Sequence, residues 1–169
     1  RQPDELFDAV LMTIKYVMRE ANVHKNDLKL ISFSAQMHSL IAMNASHQRL
    51  TENLTWADNR ATKYAEMIKD KYDGDAIYSR TGTPIHPMSP LSKIFWMKHE
   101  QQEIYNQTAM FADIKTYIFY QLFETYVIDQ SMASSTGMFN LENLDWDQEA
   151  LALLGIRKSQ LPEIVPTTH

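Results

Sequence analysis

An amide, an imidazole and a hydroxyl interrupt two apolar runs in the stretch FSAQMHSLIAMN, where Gln36, Met37, His38 and Ser39 fall together. These groups donate and accept hydrogen bonds, and a neutral imidazole does both, so the notch suits a polyhydroxylated ligand at the end of a sheet. A plain β-hairpin turn would produce the same break, and a lone histidine in such a place is more often structural than functional. A second cluster, TWADNRAT, sets Trp56, Asp58 and Arg60 within one short loop. An indole offers a flat face to sugar C–H groups, and the two opposite charges offer charge-assisted bonds to hydroxyl edges. The competing account makes Asp58 a helix cap and the Asp–Arg pair a surface contact of little worth. The third cluster is TGTPIHPMSPLSK, in which Pro84, Pro87 and Pro90 stiffen the chain around Met88. It ends where a helix should begin, a place that favours anions. No carboxylate pair stands out as a general acid–base couple. The histidines at 24, 38, 47, 86, 99 and 169 show no metal-ligand spacing.

These residues need elements to hold them. Leu6, Val10, Ile14, Val17 and Ala21 recur at helical spacing, with Phe7, Leu11 and Met18 beside them, which predicts a long helix buried on a wide face. Pro3, Asp4 and Glu5 suit its start. LKLISFSA and SLIAMN are expected strands, and Leu54 to Trp56 a third extended piece. Ala61, Tyr64, Ala65, Ile68 and Tyr72 predict a helix capped by Asp58 or Asn59. IYSRTGTPIHPMSP is expected to be irregular throughout. Ser89 caps the next helix, with Pro90 in its first position. AMFA is an expected strand, Asp113 the cap of a helix through Leu122, and YVIDQ a β-like start. DWDQEALALLG makes a short helix ended by Gly155. SQLPEIVPTTH is expected to be a tail. Helices interleaved with short strands indicate an α/β class.

The composition narrows the function. A chain of 169 residues is one domain by size and long enough for an unstapled core. A net charge of −5 argues against a general binder of nucleic acid. The sequence has no cysteine, which removes disulfides and thiolate chemistry and fits a reducing compartment, so a cytoplasmic location is expected. No apolar run reaches membrane-spanning length, so no membrane partner is expected. With four glycines the chain has little from which to build a phosphate cradle.

Five segments in order, ISFSAQMHSLIAM, TWADNRA, YSRTGTPIHPMSPLSKIFWM, FADIKTYIFYQLF and DQSMASSTGMFN, resemble the N-terminal domain of FGGY-family carbohydrate kinases. Within that family they look most like the gluconate kinases. The resemblance implies a ribonuclease-H-like, actin-like ATPase fold, with residues 1–169 as a partial N-terminal, sugar-binding domain. It implies ATP-dependent phosphorylation of gluconate, with Mg²⁺ serving the nucleotide in the full-length enzyme. By position, Gln36, Met37 and His38 match one substrate-side segment of the family, Trp56, Asp58 and Arg60 a second, and Met88 a sugar-lining position. Arg60, Lys93 and Lys115 are candidate cations for the substrate carboxylate.

The family's Asp-x-Gly-Thr-Thr phosphate hairpin and its catalytic aspartate have no counterpart in these residues. No catalytic residue, bound cofactor or metal is therefore expected in this piece, nor activity from it alone. Xylulose, glycerol or another polyol remain alternative substrates, and a non-catalytic sugar-sensing module remains an alternative role. A helix and sheet edge left without their floor would expose apolar surface and favour a homo-oligomer.

Overall fold

The computed structural model describes residues 2–168; His169 lies outside them. The elements in chain order are α1 (Pro3–Glu20), β1 (Ile41–Met43), α2 (Thr62–Lys71), α3 (Gly74–Thr81), α4 (Pro90–Glu100), α5 (Gln102–Gln107) and β2 (Met110–Ala112). Then follow α6 (Ile114–Phe123), β3 (Val127–Asp129), α7 (Gln130–Ser134), β4 (Phe139–Asn140), β5 (Asp145–Trp146), α8 (Gln148–Leu154) and β6 (Glu163–Val165). The strands form three two-stranded ladders: β1 with β2 and β4 with β5 antiparallel, and β3 with β6 parallel.

The centre is α4. Leu91, Ile94, Phe95, Trp96 and Met97 are all buried, so this helix is apolar nearly all round. Helices α2 and α8 pack on it, bringing Ala61, Tyr64, Ala65 and Ile68 from one side and Ala150, Leu151 and Leu154 from the other. A smaller cluster lies on the far side of the β1–β2 ladder, where Ile41, Met43, Ala112, Ile114, Tyr117 and Ile118 meet. Leu6, Phe7 and Val10 of α1 pack against this cluster without becoming fully buried.

Capping chemistry sets several boundaries as expected. Ser89 accepts from the Ser92 N–H and Asp113 from Thr116, with Gly155 closing α8 at φ +74°; an unforeseen cap is Asp147, which accepts from Ala150. Leu54 bridges Leu40, as its extended reading suggests.

Four expectations fail. LKLISFSA is not a strand: residues 28–36 form no regular element, and no strand among the described residues pairs with them. Alternation alone makes a strand only where a partner supplies the ladder. Leu30 stands 80 % exposed. The helix α2 starts at Thr62 with Ala61 as its uncapped first neighbour: the Asp58 carboxylate is taken by Arg60, and Asn59 lies one residue too early, its backbone carbonyl accepting from Thr62 in the preceding turn. Ile77 to Thr81 are helical, closing α3, and only the stretch after Gly82 is irregular. The tail is an element after all: β6 pairs in register with β3, with Ile164 opposite Ile128, and Leu161 and Val165 are buried. The long first helix is real, yet Pro3 is its one fully buried residue among those described, and Val17 is mostly exposed.

Candidate functional site

His38 sits just before β1 with φ +61°, a left-handed backbone uncommon for a residue with a side chain. Such strain is held only where the surroundings fix it. Here the fixing group is Lys93, from the first turns of α4. Its ammonium is buried, with the residue only 1 % exposed. It donates to the His38 carbonyl at 2.6 Å, the Thr55 carbonyl at 2.8 Å and the Leu54 carbonyl at 3.2 Å. One cation thus ties the notch before β1 to the loop that carries Trp56.

The His38 imidazole is half-buried. Burial holds its pKa below the ordinary 6.5, with the charges of Lys93 and His86 pushing the same way against a hydrogen bond to the Ser135 backbone. The ring is therefore neutral at pH 7, and its Nδ1 is buried with no hydrogen-bonding partner among the described residues. His86 belongs to the proline-rich loop, where its Nδ1 accepts from the Met88 N–H at 3.2 Å. That loop is pinned behind by Ser89 Oγ, which donates to the His86 carbonyl at 2.9 Å.

Asp58 and Arg60 form a forked pair: Arg60 Nε lies 3.0 Å from both carboxylate oxygens and Nη2 lies 2.5 Å from Oδ2. Burial raises the Asp58 pKa, but the hydrogen bonds from Arg60 outweigh it and hold the carboxyl below 3.8. The Arg60 guanidinium lies 4.9 Å over the Trp96 ring, which fixes its plane. Trp56 is 59 % exposed and lines, with Gln36, a groove of about 710 Å³ between α1, residues 31–36 and α6. The groove walls are mostly apolar, including Val10, Ile14, Phe33 and Ile118. Met37 is exposed and Met88 half-buried.

The structure thus brings His38, Asp58 and Arg60 within electrostatic reach of Lys93, with His86 in reach of His38, and places Trp56 and Gln36 on the adjoining groove. Met88 is tied to this group through His86. Of the three candidate cations for a carboxylate, Lys93 has all three N–H groups committed to carbonyls. Lys115 is bound to Asp129 at 2.6 Å and is about one-fifth exposed. Arg60, with 54 % of its side chain exposed, remains the accessible one. The role of Lys93 as a carbonyl-binding cation went unread in the sequence, although one signal was there: a single lysine inside an otherwise apolar helical run.

Among the described residues no three histidines or carboxylates converge to hold a metal ion. No step through a nucleotide–Mg²⁺ group is assigned to these residues. No helix among them is long and apolar enough to cross a membrane.

Comparison with known proteins assigns the chain to a family. A gluconokinase of Bacillus subtilis (strain 168) is 48 % identical over the whole chain, which spans 33 % of that protein. A gluconate kinase from Lactobacillus acidophilus superposes with a TM-score of 0.92 at 39 % identity, covering 98 % of this chain and 33 % of that one. A ligand-bound xylulose kinase from the same organism superposes with a TM-score of 0.89 at 38 % identity, covering 97 % and 33 %. The chain thus spans about a third of the length of the relatives it matches, and it shares their ribonuclease-H-like, actin-like ATPase fold. Matched over residues 1–169 by the family described as the N-terminal domain of FGGY carbohydrate kinases, the chain belongs to the FGGY family of carbohydrate kinases.

Proposed function

We propose that the protein phosphorylates gluconate to 6-phosphogluconate at the expense of ATP, and that residues 1–169 supply part of its sugar-binding domain. The observation that carries this reading is the meeting of the His38 notch and the Trp56–Arg60 loop at the Lys93 ammonium, beside an exposed indole. The 48 % identity to a gluconokinase supports the choice of gluconate.

Each residue has a task in that reading. Trp56 stacks on a C–H face of the sugar chain. The neutral His38 imidazole, its N–H engaged by the Ser135 backbone, is left with Nδ1 as an acceptor for a hydroxyl. Asp58, kept ionised by Arg60, accepts from a hydroxyl, while Gln36 supplies an amide at the groove side. Met37 and Met88 line the apolar portion, and Arg60 meets the substrate carboxylate. ATP is the phosphoryl donor and Mg²⁺ its counterion, both held by parts of the protein outside these residues. A cytoplasmic location belongs to the same proposal.

A second reading, xylulose or another uncharged polyol, has its own support in the near-equal likeness to a xylulose kinase. A substrate panel on the full-length protein separates the two. Gluconate preferred over xylulose and glycerol supports the first, and preference for an uncharged sugar removes the carboxylate role of Arg60. The 169-residue chain alone is expected to give no ATP- and gluconate-dependent product.

A further inference from the structure

Lys93 is costly as built. Its ammonium is fully enclosed, and no carboxylate of the described residues lies within 4.0 Å of it; its neighbours are three carbonyl oxygens. An ammonium taken out of water without a counter-ion is strongly disfavoured. A leucine or methionine would fill the same volume in the apolar body of α4 without that cost. What an apolar residue cannot do is hold three peptide oxygens at one point. Two of those oxygens, on Leu54 and Thr55, lead directly into Trp56 and Asp58. The third belongs to His38, the residue with the left-handed backbone.

We propose that Lys93 is a positioning residue for the sugar wall, its ammonium fixing the spacing between the His38 notch and the Trp56–Arg60 loop. This deepens the sugar-kinase reading above and rests on it. Lys93 does not touch the sugar; it acts through the two backbones. Burial has pushed its pKa down to about 8, partly offset by Asp58 and reinforced by Arg60. The charged groups facing it are therefore His38, Asp58, Arg60 and, through the His38 ring, His86. His38 is held below 6.5, Asp58 below 3.8 and Arg60 is raised by its bond to Asp58, so none of these three changes charge between pH 7.5 and 9.5. A neutral amine has two N–H donors for three carbonyls, and its lone pair repels the third.

The test uses the full-length protein, with the Lys93→Met and Lys93→Gln variants beside the wild type. The expected result is a rise in KM for the sugar on the order of ten- to a hundredfold, the scale of a misplaced binding group, with KM for ATP unchanged. A merely structural lysine would instead lower the active fraction, reducing apparent kcat with the sugar KM intact, and that outcome overturns the proposal. Should neither variant fold, the wild type decides. A sugar KM that climbs above pH 8 while the ATP KM stays level supports the clamp, and a level sugar KM through pH 9.5 sinks it. If the wild type phosphorylates no sugar in the panel, the functional reading has failed on its own. The clamp is then read by NMR titration of His38: loss of the Lys93 charge raises the imidazole pKa if the ammonium sits where described, and an unchanged pKa refutes it.

Discussion

The two apolar clusters of this domain are built from similar residues and end in different states. Around α4 the apolar residues are covered: α2, α5 and α8 pack on the helix, and Leu91, Phe95 and Met97 are buried in one cluster with Phe139 and Leu161. Behind the β1–β2 ladder, Ile41 and Met43 are equally dry, yet the layer above them is open. There α1 leans on α6 with Leu6, Val10 and Ile14 half-covered, and the 710 Å³ groove runs beneath it. A strong amphipathic pattern is therefore not a measure of burial. The stripe on α1 and the run on α4 are both plain in the sequence, and what differs is whether other elements arrive to cover them. The candidate sugar wall lies where the two regions meet, one side fixed by the finished core and the other facing the open groove.

The contrast is sharpest in stability. Leu91→Ala or Phe95→Ala should cost about 3–5 kcal/mol in urea or thermal unfolding, the usual penalty for a cavity in a closed core. Val10→Ala and Ile14→Ala should cost less than about 1 kcal/mol, since their methyls are already partly wet. Equal losses at both places would erase the distinction.

Asp147 sharpens it at the covered side. Its buried carboxylate holds Arg80 at 2.8 and 3.1 Å, accepts from Asn140 at 3.0 Å and caps α8. Asp147→Ala should destabilise by roughly 3 kcal/mol, because Arg80 is left with only the exposed Glu149, Asn140 loses its acceptor and the helix its cap. Hydrogen bonds from Arg80 hold this carboxyl below 3.8 against burial, so its contribution is present above pH 4 and is lost as the pH falls through the lower folded value.

Asp113 runs the other way. It caps α6, the helix of the open side, but burial pushes its carboxyl up to about 6, and one oxygen has no partner among the described residues. With the folded pKa above the unfolded one, stability declines as the pH rises from about 4 to 6. Asp113→Asn keeps a good cap and should remove that decline, gaining roughly 1–2 kcal/mol at pH 7 in chemical unfolding. A variant that keeps the wild-type pH slope would show that Asp113 is not its source.

The smallest stability effect belongs to the groove itself. The chain should self-associate as its concentration rises, burying the face of α1 and the unpaired residues 28–36. Ile14→Lys should change unfolding by less than about 1 kcal/mol while shifting light-scattering mass toward the monomer. A chain that stays monomeric at high concentration would mean the groove is tolerated in water as it stands.

Legibility followed locality. Caps at Ser89 and Asp113 and the stop at Gly155 depend on a few neighbouring residues, and all of them could be read from the sequence. The strand at LKLISFSA and the β6 pairing could not, because a strand is decided by a partner far along the chain: absent for the first, present at Val127–Asp129 for the second. The Asp58 cap failed for a similar reason, since Arg60 competes for the same carboxylate two residues on. In the site, residue types were readable but the junction between them was not. Nothing local to Lys93 says that its three acceptors come from segments 38 to 55 residues away.

The β3–β6 ladder has a consequence for how the chain is made. Parallel strands cannot be joined by a tight turn, so everything from Gln130 to Pro162 must leave the ribosome before Val127–Asp129 finds its neighbour. At synthesis speeds of roughly 5–20 residues per second that is a wait of about two to seven seconds. During that wait the newborn β3 offers a bare hydrogen-bonding edge to whatever chain is nearby, and a chaperone that shields it would act in that interval.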